Sequence, residues 1–236
     1  MGFLLKAFQS CGVRGKRILE VACGTGSHAE ILAAKGYEVT GVDISEDVLR
    51  VARDKVKRRA RFVRGDMRDL DATVEGRFDA AVCLFSSISY NLTLADLRRT
   101  IKGLFDRLDI PGVVVFDTHF TKKAFVDGYR GEDVFDDGRV MGARLGISKR
   151  EGDIGQITFS YLIKDGAKTL VLRGDSHRLG LYDPRDILQT MREVGFDETS
   201  VYSDWTFRKT KKETPFIDLV FVGCKHHGAK RMAGPA

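Results

Sequence analysis

Two glycines and an alanine at a fixed spacing are the first residues in the chain whose types could do chemistry. Gly24, Gly26 and Ala29 stand in LEVACGTGSHAE, which runs from an apolar strand pattern into a helix start. Their spacing, G-x-G-x-x-A, is one form of the fingerprint that holds a dinucleotide pyrophosphate. A glycine turn lets the backbone approach a ligand closely at a helix N-terminus, where N–H groups are free. The segment predicts an adenosine-containing ligand, either a nicotinamide dinucleotide or a different adenosine compound.

Two acidic residues at the ends of the next two predicted strands narrow this choice. Asp43 ends the strand in EVTGVDIS, where a carboxylate can accept both ribose hydroxyls of an adenosine. That position suits a nicotinamide dinucleotide and S-adenosylmethionine equally. Asp66 follows the strand in RFVRGDMRDL and precedes Met67. Its carboxylate can accept the adenine amino group while Met67 packs on the ring, and because dinucleotide enzymes do not usually need this pair, it favours S-adenosylmethionine.

Four segments in this order and spacing carry a family resemblance: EVACGTG, VTGVDIS, RGDMRDL and FDAAVCLFSSISYN. Together they resemble the class I S-adenosylmethionine-dependent methyltransferases over roughly residues 17–225. The resemblance implies an α/β fold with a Rossmann-like sheet of strand order 3-2-1-4-5-7-6, whose last strand is antiparallel. FSSISY also looks like the FSSIGY-type loop of the sugar-amine N-methyltransferases, so the chain resembles the small-molecule branch that includes glycine and sarcosine methylators.

The resemblance also implies a cofactor site, made of residues in the matched segments. These are Glu20, Ala22, Gly24, Gly26, Asp43, Ile44, Asp66, Met67, Leu84 and Phe85. In that arrangement Glu20 orients the methionine end of the cofactor above the glycine loop, and Ile44 lies against adenine. Leu84 and Phe85 provide backbone groups and a wall near the sulfonium. Ala22 stands where the family often has glycine, a small change that we expect the loop to accept.

Methyl transfer from a sulfonium is an in-line displacement, so the protein mainly supplies proximity and alignment, worth up to ~7–11 kcal/mol. A base is needed only when the nucleophile arrives protonated. His119 and Tyr90, which follow predicted strands at the cofactor edge, are the candidate catalytic residues. A strand-end histidine can also be a capping group, and a tyrosine there can simply pack. After the fourth strand there is no Asn/Asp-Pro-Pro-aromatic segment, which argues against methylation of the adenine amino group or of an amide. There is no Pro-Cys either, which argues against C5 methylation of cytosine through a cysteine nucleophile.

The candidate substrate-binding residues are polar or aromatic side chains near the expected methyl position or on the segment predicted to cover it. They are Ser86, Asn91, Arg144, His177 and Tyr182. Arg144 could bind an acidic group of the acceptor, and His177 lies where the covering segment returns to the core. Surface roles for both remain open. The acceptor is expected to be a small polar molecule, more often methylated at nitrogen than at oxygen.

The pattern of elements supplies the scaffold for these residues. Apolar β-branched runs alternate with helical patterns through residue 117, which predicts βαβ units and a parallel sheet. The predicted strands are Arg17–Val21, Tyr37–Val42, Ala60–Val63, Phe78–Leu84 and Val113–Asp117, with helices at Ser27–Lys35, Glu46–Arg58 and Leu94–Leu108. Either a short N-terminal helix, MGFLLKAF, covers the cofactor, or the cofactor site is open on that side.

Beyond residue 117 the rhythm changes to extended segments separated by turns. Arg139–Lys149, Gln156–Lys164 and Thr169–Arg178 predict a three-stranded antiparallel insertion, 136–180, that covers the substrate. Asp165-Gly166 is a strong hairpin signal. A helix capped by Asp183 and the strands Glu198–Phe207 and Phe216–Lys225 follow. We expect one methyltransferase domain over 1–225 and a disordered tail over 226–236.

Composition sets the remaining expectations. The net charge is +6, and Lys55–Arg64 carries much of the excess, as the end of a helix or as a nucleic-acid footprint. Among the four cysteines Cys23 and Cys83 are expected to be buried, and no C-x-x-C spacing suggests a metal site. No apolar run approaches the ~20 residues of a membrane span. Because the basic residues of the N-terminus follow its apolar ones, unlike in a signal peptide, we expect a cytoplasmic protein.

The expected partners are therefore S-adenosylmethionine and a small-molecule acceptor, with the chain as a monomer or homodimer that does not enter a membrane. A second hypothesis is an RNA or protein methyltransferase, with tRNA as a partner, because the isoelectric point is near 9.1. A non-catalytic S-adenosylmethionine-binding module and a nicotinamide oxidoreductase are two further hypotheses.

Overall fold

The structure, a computed structural model, describes residues 1–210 and 217–227. Its helices are α1 Gly2–Ser10, α2 Ser27–Ala34, α3 Glu46–Val56, α4 Leu70–Thr73, α5 Leu94–Asp106 and α6 Pro184–Val194. Its strands are β1 Arg17–Val21, β2 Glu38–Asp43, β3 Ala60–Arg64, β4 Phe78–Cys83, β5 Leu108–Thr118, β6 Arg130–Asp136, β7 Val140–Glu151, β8 Ile154–Asp165, β9 Lys168–Gly180, β10 Glu198–Ser203 and β11 Leu219–Lys225.

Seven of these strands form the main sheet, in the order β3-β2-β1-β4-β5-β11-β10. The first five are parallel, whereas β11 pairs antiparallel with both β5 and β10. This is the predicted order 3-2-1-4-5-7-6 with its antiparallel last strand. Because β1 to β5 run the same way, their carboxyl ends meet at one edge of the sheet, where open α/β sheets bind ligands.

Two apolar layers hold the helices against the sheet. On one face α1, α2 and α3 bury side chains such as Phe8, Leu32 and Leu49 against the strands. On the other face α5 and α6 bury side chains such as Leu104 and Met191. Burying one such side chain stabilises the fold by about 1.5–3 kcal/mol. Strands covered on both faces are continuous apolar runs in the sequence, which is why the alternation of elements could be predicted.

A separate antiparallel sheet follows β5 and has four strands, in the order β6-β7-β8-β9. The prediction of three strands is wrong, because β6 was missed; the sheet begins at Arg130 rather than near residue 136. The sequence of β6, RGEDVFD, is rich in charge and nearly all exposed, so it lacks the alternation that marks a half-buried strand. Charged edge strands of this kind discourage pairing with other molecules. The predicted hairpin at Asp165-Gly166 is confirmed, since it joins β8 to β9.

A disulfide between Cys11, which follows α1, and Cys224 joins the N-terminal segment to strand β11. The other two cysteines, Cys23 and Cys83, are free and buried as predicted, and burial raises the pKa of both thiols. Disulfides are rare in a reducing cytoplasm, so the cytoplasmic location stays a prediction. Within the described ranges, no helix is both long and apolar enough to span a membrane. Of the predicted tail, 228–236 lies outside the described residues.

Candidate cofactor and methyl-acceptor site

Three cavities lie along the carboxyl edge of the main sheet. The glycine-loop cavity, about 590 Å³, is lined by Ala22, Gly24, Val42, Asp43, Ile44, Ser45, Val48, Gly65, Asp66, Met67, Arg68, Ser87, Tyr90, Asn91 and His177. The Asp218 cavity, about 370 Å³, is lined by Met1, Leu4, His28, Leu84, Phe85, Ser86, Asp117, His119, Trp205 and Asp218. The aromatic cavity, about 260 Å³, lies between the end of β5 and the inserted sheet.

Asp43 braces the loop after β1 from the end of the neighbouring strand. Its Oδ2 accepts the Gly24 N–H at 2.9 Å and its Oδ1 accepts the Ser45 N–H at 3.0 Å. A carboxylate has about four accepting sites, so each oxygen can still accept a hydroxyl of a ligand. Gly26 must be glycine here: its φ is +73°, and a Cβ would lie 3.0 Å from the Phe62 ring. Asp43 and Gly24 thus form a cradle on the glycine-loop cavity, which Gly26 does not line.

Asp66 lines the same cavity but is already paired. The Arg68 guanidinium approaches both of its oxygens, with Nε 2.9 Å from Oδ1, and the Arg68 backbone N–H donates to Oδ1. This contact holds the pKa of the Asp66 carboxyl below its usual range. Arg68 was not a predicted site residue, although its place two residues after Asp66 could have suggested a local pair. Adenine would share Asp66 with this guanidinium, while Met67 remains on the cavity wall.

Two buried carboxylate oxygens at this edge lack a hydrogen-bond partner among the described residues: Glu20 Oε2 and Asp117 Oδ1. Glu20 Oε1 lies 3.3 Å from His28 Nδ1, and both acids are only 1% exposed. An unpaired buried acceptor is costly unless a donor or cation reaches it. A ligand with an ammonium and a sulfonium would supply positive charge in the Asp218 cavity, which Asp117 lines, whereas Glu20 lines none of the three cavities described above. Together with the Asp43 cradle, these oxygens make the residues present a fit for S-adenosylmethionine.

The turn after β4 exposes the ring of Phe85, and its backbone is strained. Phe85 and Ser86 have φ of 59° and 56°, a region that non-glycine residues rarely adopt. Asp117 stabilises the turn, because its Oδ2 accepts the Ser86 N–H at 2.9 Å. Phe85 is consequently 83% exposed, whereas Leu84 is buried. Strain of this kind concentrates at functional sites. Burial raises the pKa of Asp117 to about 7.

His119 follows β5 and lies on the walls of both the Asp218 cavity and the aromatic cavity. Its Nδ1 is 3.2 Å from Asp218 Oδ1 and 3.2 Å from Ser86 Oγ. Trp205 Nε1–H donates to Asp218 Oδ2 at 3.0 Å. Sequence reasoning missed Asp218, because this residue immediately precedes β11, 99 residues after His119, and belongs to no local motif.

Tyr90 and His177, predicted in separate parts of the chain, lie in direct contact. The Tyr90 hydroxyl is 2.6 Å from His177 Nδ1, and His177 Nε2 is 3.3 Å from Asp175 Oδ2. Tyr161 also donates to Asp175, at 3.1 Å. Burial raises the pKa of Tyr90, and the Asp175 charge adds to this. The contact ties the short 3-10 turn Ser87–Tyr90 to the inserted sheet across one mouth of the glycine-loop cavity.

The remaining predicted substrate residues divide into two groups. Asn91 and Tyr182 are buried, and Tyr182 donates to the backbone oxygens of Asn91 and Thr93, so both brace the turn that carries Tyr90. Arg144 lies on the aromatic cavity, where its guanidinium is 4.6 Å from the centre of the Phe159 ring and its Nε donates to Asp133 Oδ2 at 3.0 Å.

Comparisons with known proteins show the family to which the chain belongs. The sequence profile of the family described as "Methyltransferase domain" matches residues 18–112. A dTDP-3-amino-3,4,6-trideoxy-alpha-D-glucopyranose N,N-dimethyltransferase of Streptomyces venezuelae is 33% identical over 166 residues, which cover 70% of this chain and 68% of that protein. A glycine/sarcosine N-methyltransferase of Halorhodospira halochloris is 28% identical over 218 residues, covering 89% and 76%. The solved structure of the sugar N-methyltransferase KedS8 from Streptoalloteichus sp. ATCC 53650 is 26% identical with a TM-score of 0.81, covering 96% of this chain and 86% of that one.

The chain belongs to the class I S-adenosylmethionine-dependent methyltransferases. It is an enzyme whose cofactor is S-adenosylmethionine. The choice left open at the glycine loop is thereby decided against a nicotinamide dinucleotide.

Proposed function

We propose that this enzyme transfers the methyl group to the amine nitrogen of a small acceptor held between the main sheet and the inserted sheet. The observation that carries the proposal is the position of His119, which lines both the Asp218 cavity and the aromatic cavity. An imidazole at that junction can take the proton that an ammonium acceptor must lose before its nitrogen attacks. A hydroxyl acceptor would lose a proton as well, so nitrogen is chosen over oxygen because relatives of the chain are named as N-methyltransferases.

The cofactor supplies a methyl group already activated by the sulfonium, so the chain's task is to bind and align. Asp43 would accept the ribose hydroxyls, since each oxygen has capacity beyond its backbone bond. Asp66 and Arg68 would meet the adenine edge together. The free oxygens of Glu20 and Asp117 would face the positively charged methionyl end. These contacts fix the reacting carbon, and alignment of this kind is the main source of rate in such displacements.

On the acceptor side, we assign direct contacts to Ser86, Arg144 and His177. Arg144 would bind an acidic group of the acceptor in exchange for Asp133, with Phe159 supporting its guanidinium. Asn91 and Tyr182 would act through the turn that carries Tyr90. Aromatic walls suit the apolar face of a ring, so the acceptor can be a ring that bears an amine. Two relatives are named as N-methyltransferases, one of an amino sugar and one of glycine and sarcosine, and this supports nitrogen as the acceptor atom.

Methyl transfer onto a matched acceptor panel tests this proposal. The panel pairs an amino-sugar nucleotide with the same sugar carrying a hydroxyl, and adds glycine, sarcosine, tRNA and total protein. With radiolabelled S-adenosylmethionine, we expect label on an amine and none on the hydroxyl partner. Label on tRNA, on protein or on the hydroxyl sugar would overturn the amine assignment.

A histidine pair tests the base. His119→Gln should lower kcat at least tenfold, because a general base contributes about 10²–10⁴ in rate. Binding of S-adenosylhomocysteine, followed by thermal shift, should be retained. His227→Gln is the control, since His227 contacts Asp197 at the opposite edge of the sheet. Equal kcat in the His119 variant and the control would remove His119 from catalysis.

A further inference from the structure

We propose that Asp218 and Trp205 are positioning residues of this enzyme, which hold His119 in the orientation and tautomer that a base for the acceptor nitrogen requires. The inference rests on the proposed function, because it assigns partners to the base proposed there. Neither residue is in a matched motif of the chain, and both come from the segments around β10 and β11.

The carboxylate of Asp218 is bonded on both sides. Its Oδ1 lies 3.2 Å from Nδ1 of His119, and its Oδ2 accepts the indole N–H of Trp205 at 3.0 Å. A carboxylate beside one ring nitrogen fixes the proton on that nitrogen in the neutral imidazole. The lone pair is then on Nε2, which is the nitrogen left to receive a proton. Trp205, which can only donate, fixes the carboxylate in turn.

The backbone conformation around Trp205 holds the indole beside Asp218. Asp204 and Trp205 both have left-handed φ, 53° and 56°, which is uncommon for non-glycine residues. The Asp204 N–H donates to the Asp218 carbonyl oxygen at 2.7 Å, so the loop after β10 is held against the start of β11. Phe3 of α1 packs edge-on against the indole, with ring centres 5.5 Å apart. Three separate parts of the chain thus converge on one side chain.

The other sides of the imidazole are fixed as well. The Phe120 ring centre is 3.9 Å from the His119 ring centre. Ser86 Oγ accepts the His119 backbone N–H at 3.3 Å and lies 3.2 Å from Nδ1. Since both Ser86 and Asp218 face Nδ1, Nε2 is the ring nitrogen that remains for an acceptor.

Several other charged or titratable groups line the two cavities around His119, and they can affect the pH dependence of kcat. Besides Asp218, the titratable or charged residues on the two cavities that it lines are Met1, His28, Asp117, Tyr129, Glu132, Asp133 and Arg144. The hydrogen bond from His119 holds the pKa of the Asp218 carboxyl below its usual range, so this acid is an anion at neutral pH. Asp117, with its pKa raised to about 7 by burial, changes charge in the working range.

Kinetics of Asp218→Asn give the first test. We expect kcat to fall at least tenfold while the KM for S-adenosylmethionine stays within twofold, because neither oxygen of Asp218 braces the glycine loop. The rising limb of the kcat–pH profile should move to lower pH, since the imidazolium loses its anionic partner. Trp205→Phe, which removes only the indole donor, should cause a smaller loss of kcat. Asp204→Asn is the matched control: it removes the adjacent exposed carboxylate, and asparagine tolerates left-handed φ.

Nitrogen-15 NMR of the imidazole gives a test that needs no acceptor. In the wild-type protein the His119 signals, assigned by their loss in His119→Gln, should report a proton on Nδ1 and a bare Nε2. In Asp218→Asn the two tautomers should mix, whereas Asp204→Asn should match the wild type.

The outcomes separate the two proposals. An unchanged tautomer and an unchanged kcat–pH profile in Asp218→Asn, with S-adenosylhomocysteine still stabilising the variant, would overturn the positioning role. Full activity of His119→Gln would overturn it too. If the wild-type enzyme methylates no amine, the proposed function fails, and the tautomer measurement alone decides whether Asp218 controls His119.

Discussion

At the scale of single residues, Asp43 has two tasks, since it closes the glycine loop and faces the ligand cavity. We predict that Asp43→Ala weakens S-adenosylhomocysteine binding by about tenfold to a hundredfold, because two hydrogen bonds to a charged acceptor are lost. Isothermal titration calorimetry measures this. Asp47→Ala is the control, because Asp47 is exposed on the first turn of α3. Equal affinities in the two variants would place the ribose elsewhere.

Asp117 carries a residue-scale prediction about pH. Its folded-state pKa of about 7 is above that of an unfolded aspartate, near 3.9, so between these values the folded protein holds the proton more tightly. Stability contributed by the neutral acid is therefore lost as pH rises from about 4 to 7. Asp117→Asn, which is neutral at every pH, should avoid this loss.

Urea unfolding of the cofactor-free protein at pH 5 and pH 8 checks the sign. The stability of Asp117→Asn relative to wild type should rise between these values by an amount of the order of 2 kcal/mol. Asp47→Asn should show no such trend. A difference between Asp117→Asn and wild type that does not change with pH would mean that Asp117 titrates as an ordinary exposed acid.

At the scale of elements, the disulfide makes α1 part of the site. Cys11 follows α1 and Cys224 lies in β11, and Met1 and Leu4 of the same N-terminal segment line the Asp218 cavity. We predict that Cys11→Ser lowers the free energy of unfolding by about 2–5 kcal/mol, the usual range for losing a native disulfide. Cofactor binding should weaken as well, because α1 closes one wall of that cavity.

A reductant supplies the matched control for this prediction. Dithiothreitol should lower the melting temperature of the wild-type protein and leave that of Cys11→Ser unchanged. Thiol titration in denaturant without reductant should detect two thiols, those of Cys23 and Cys83. Detection of all four cysteines as thiols would contradict the cross-link.

Elements with strong local patterns were predictable, and elements that depend on distant partners were not. Strand β1 was predicted with its observed bounds, because it is an apolar run between charged and glycine-rich segments. Strand β6 was missed, since its charged sequence is stabilised only by pairing with β7. The predicted order of the main sheet came from a resemblance, because the sequence alone does not say where β11 inserts.

The site residues also differ in how far they could be predicted, because some lie in local motifs and others depend on distant partners. Asp43 and Gly24 each lie in a short motif at the end of a predicted strand, so their shared cavity could be predicted. Asp218 lies 99 residues from His119 and has no spacing signal. The turn at Phe85 and Ser86 carries no glycine to mark its left-handed backbone. The predicted roles of the site residues stay predictions until the variants above are measured.

At the scale of the whole molecule, the basic run Lys55–Arg64 covers the end of α3, a 3-10 turn at Lys57–Arg59 and β3, which is an edge strand of the main sheet. Part of its charge is committed within the fold: Lys55 and Arg59 approach the Glu30 carboxylate at 3.5 Å and 3.4 Å. Arg64 Nε donates to the Ile44 carbonyl oxygen at 3.2 Å. These contacts favour the interpretation of the run as a solvated structural edge over that of a nucleic-acid footprint.

The last prediction follows from this arrangement and tests the tRNA hypothesis. We expect tRNA and a random-sequence RNA to bind equally and weakly, with binding lost between about 50 and 200 mM salt, as for purely electrostatic contacts. Reversing two exposed charges, in an Arg58→Glu, Arg61→Glu double variant, should weaken both RNAs alike in fluorescence anisotropy. Its kcat/KM for an amine acceptor should stay within twofold of wild type, because neither arginine lines the cavities described above. A preference for tRNA that survives added salt, or methyl transfer to tRNA that the double variant abolishes, would instead make this edge a substrate surface.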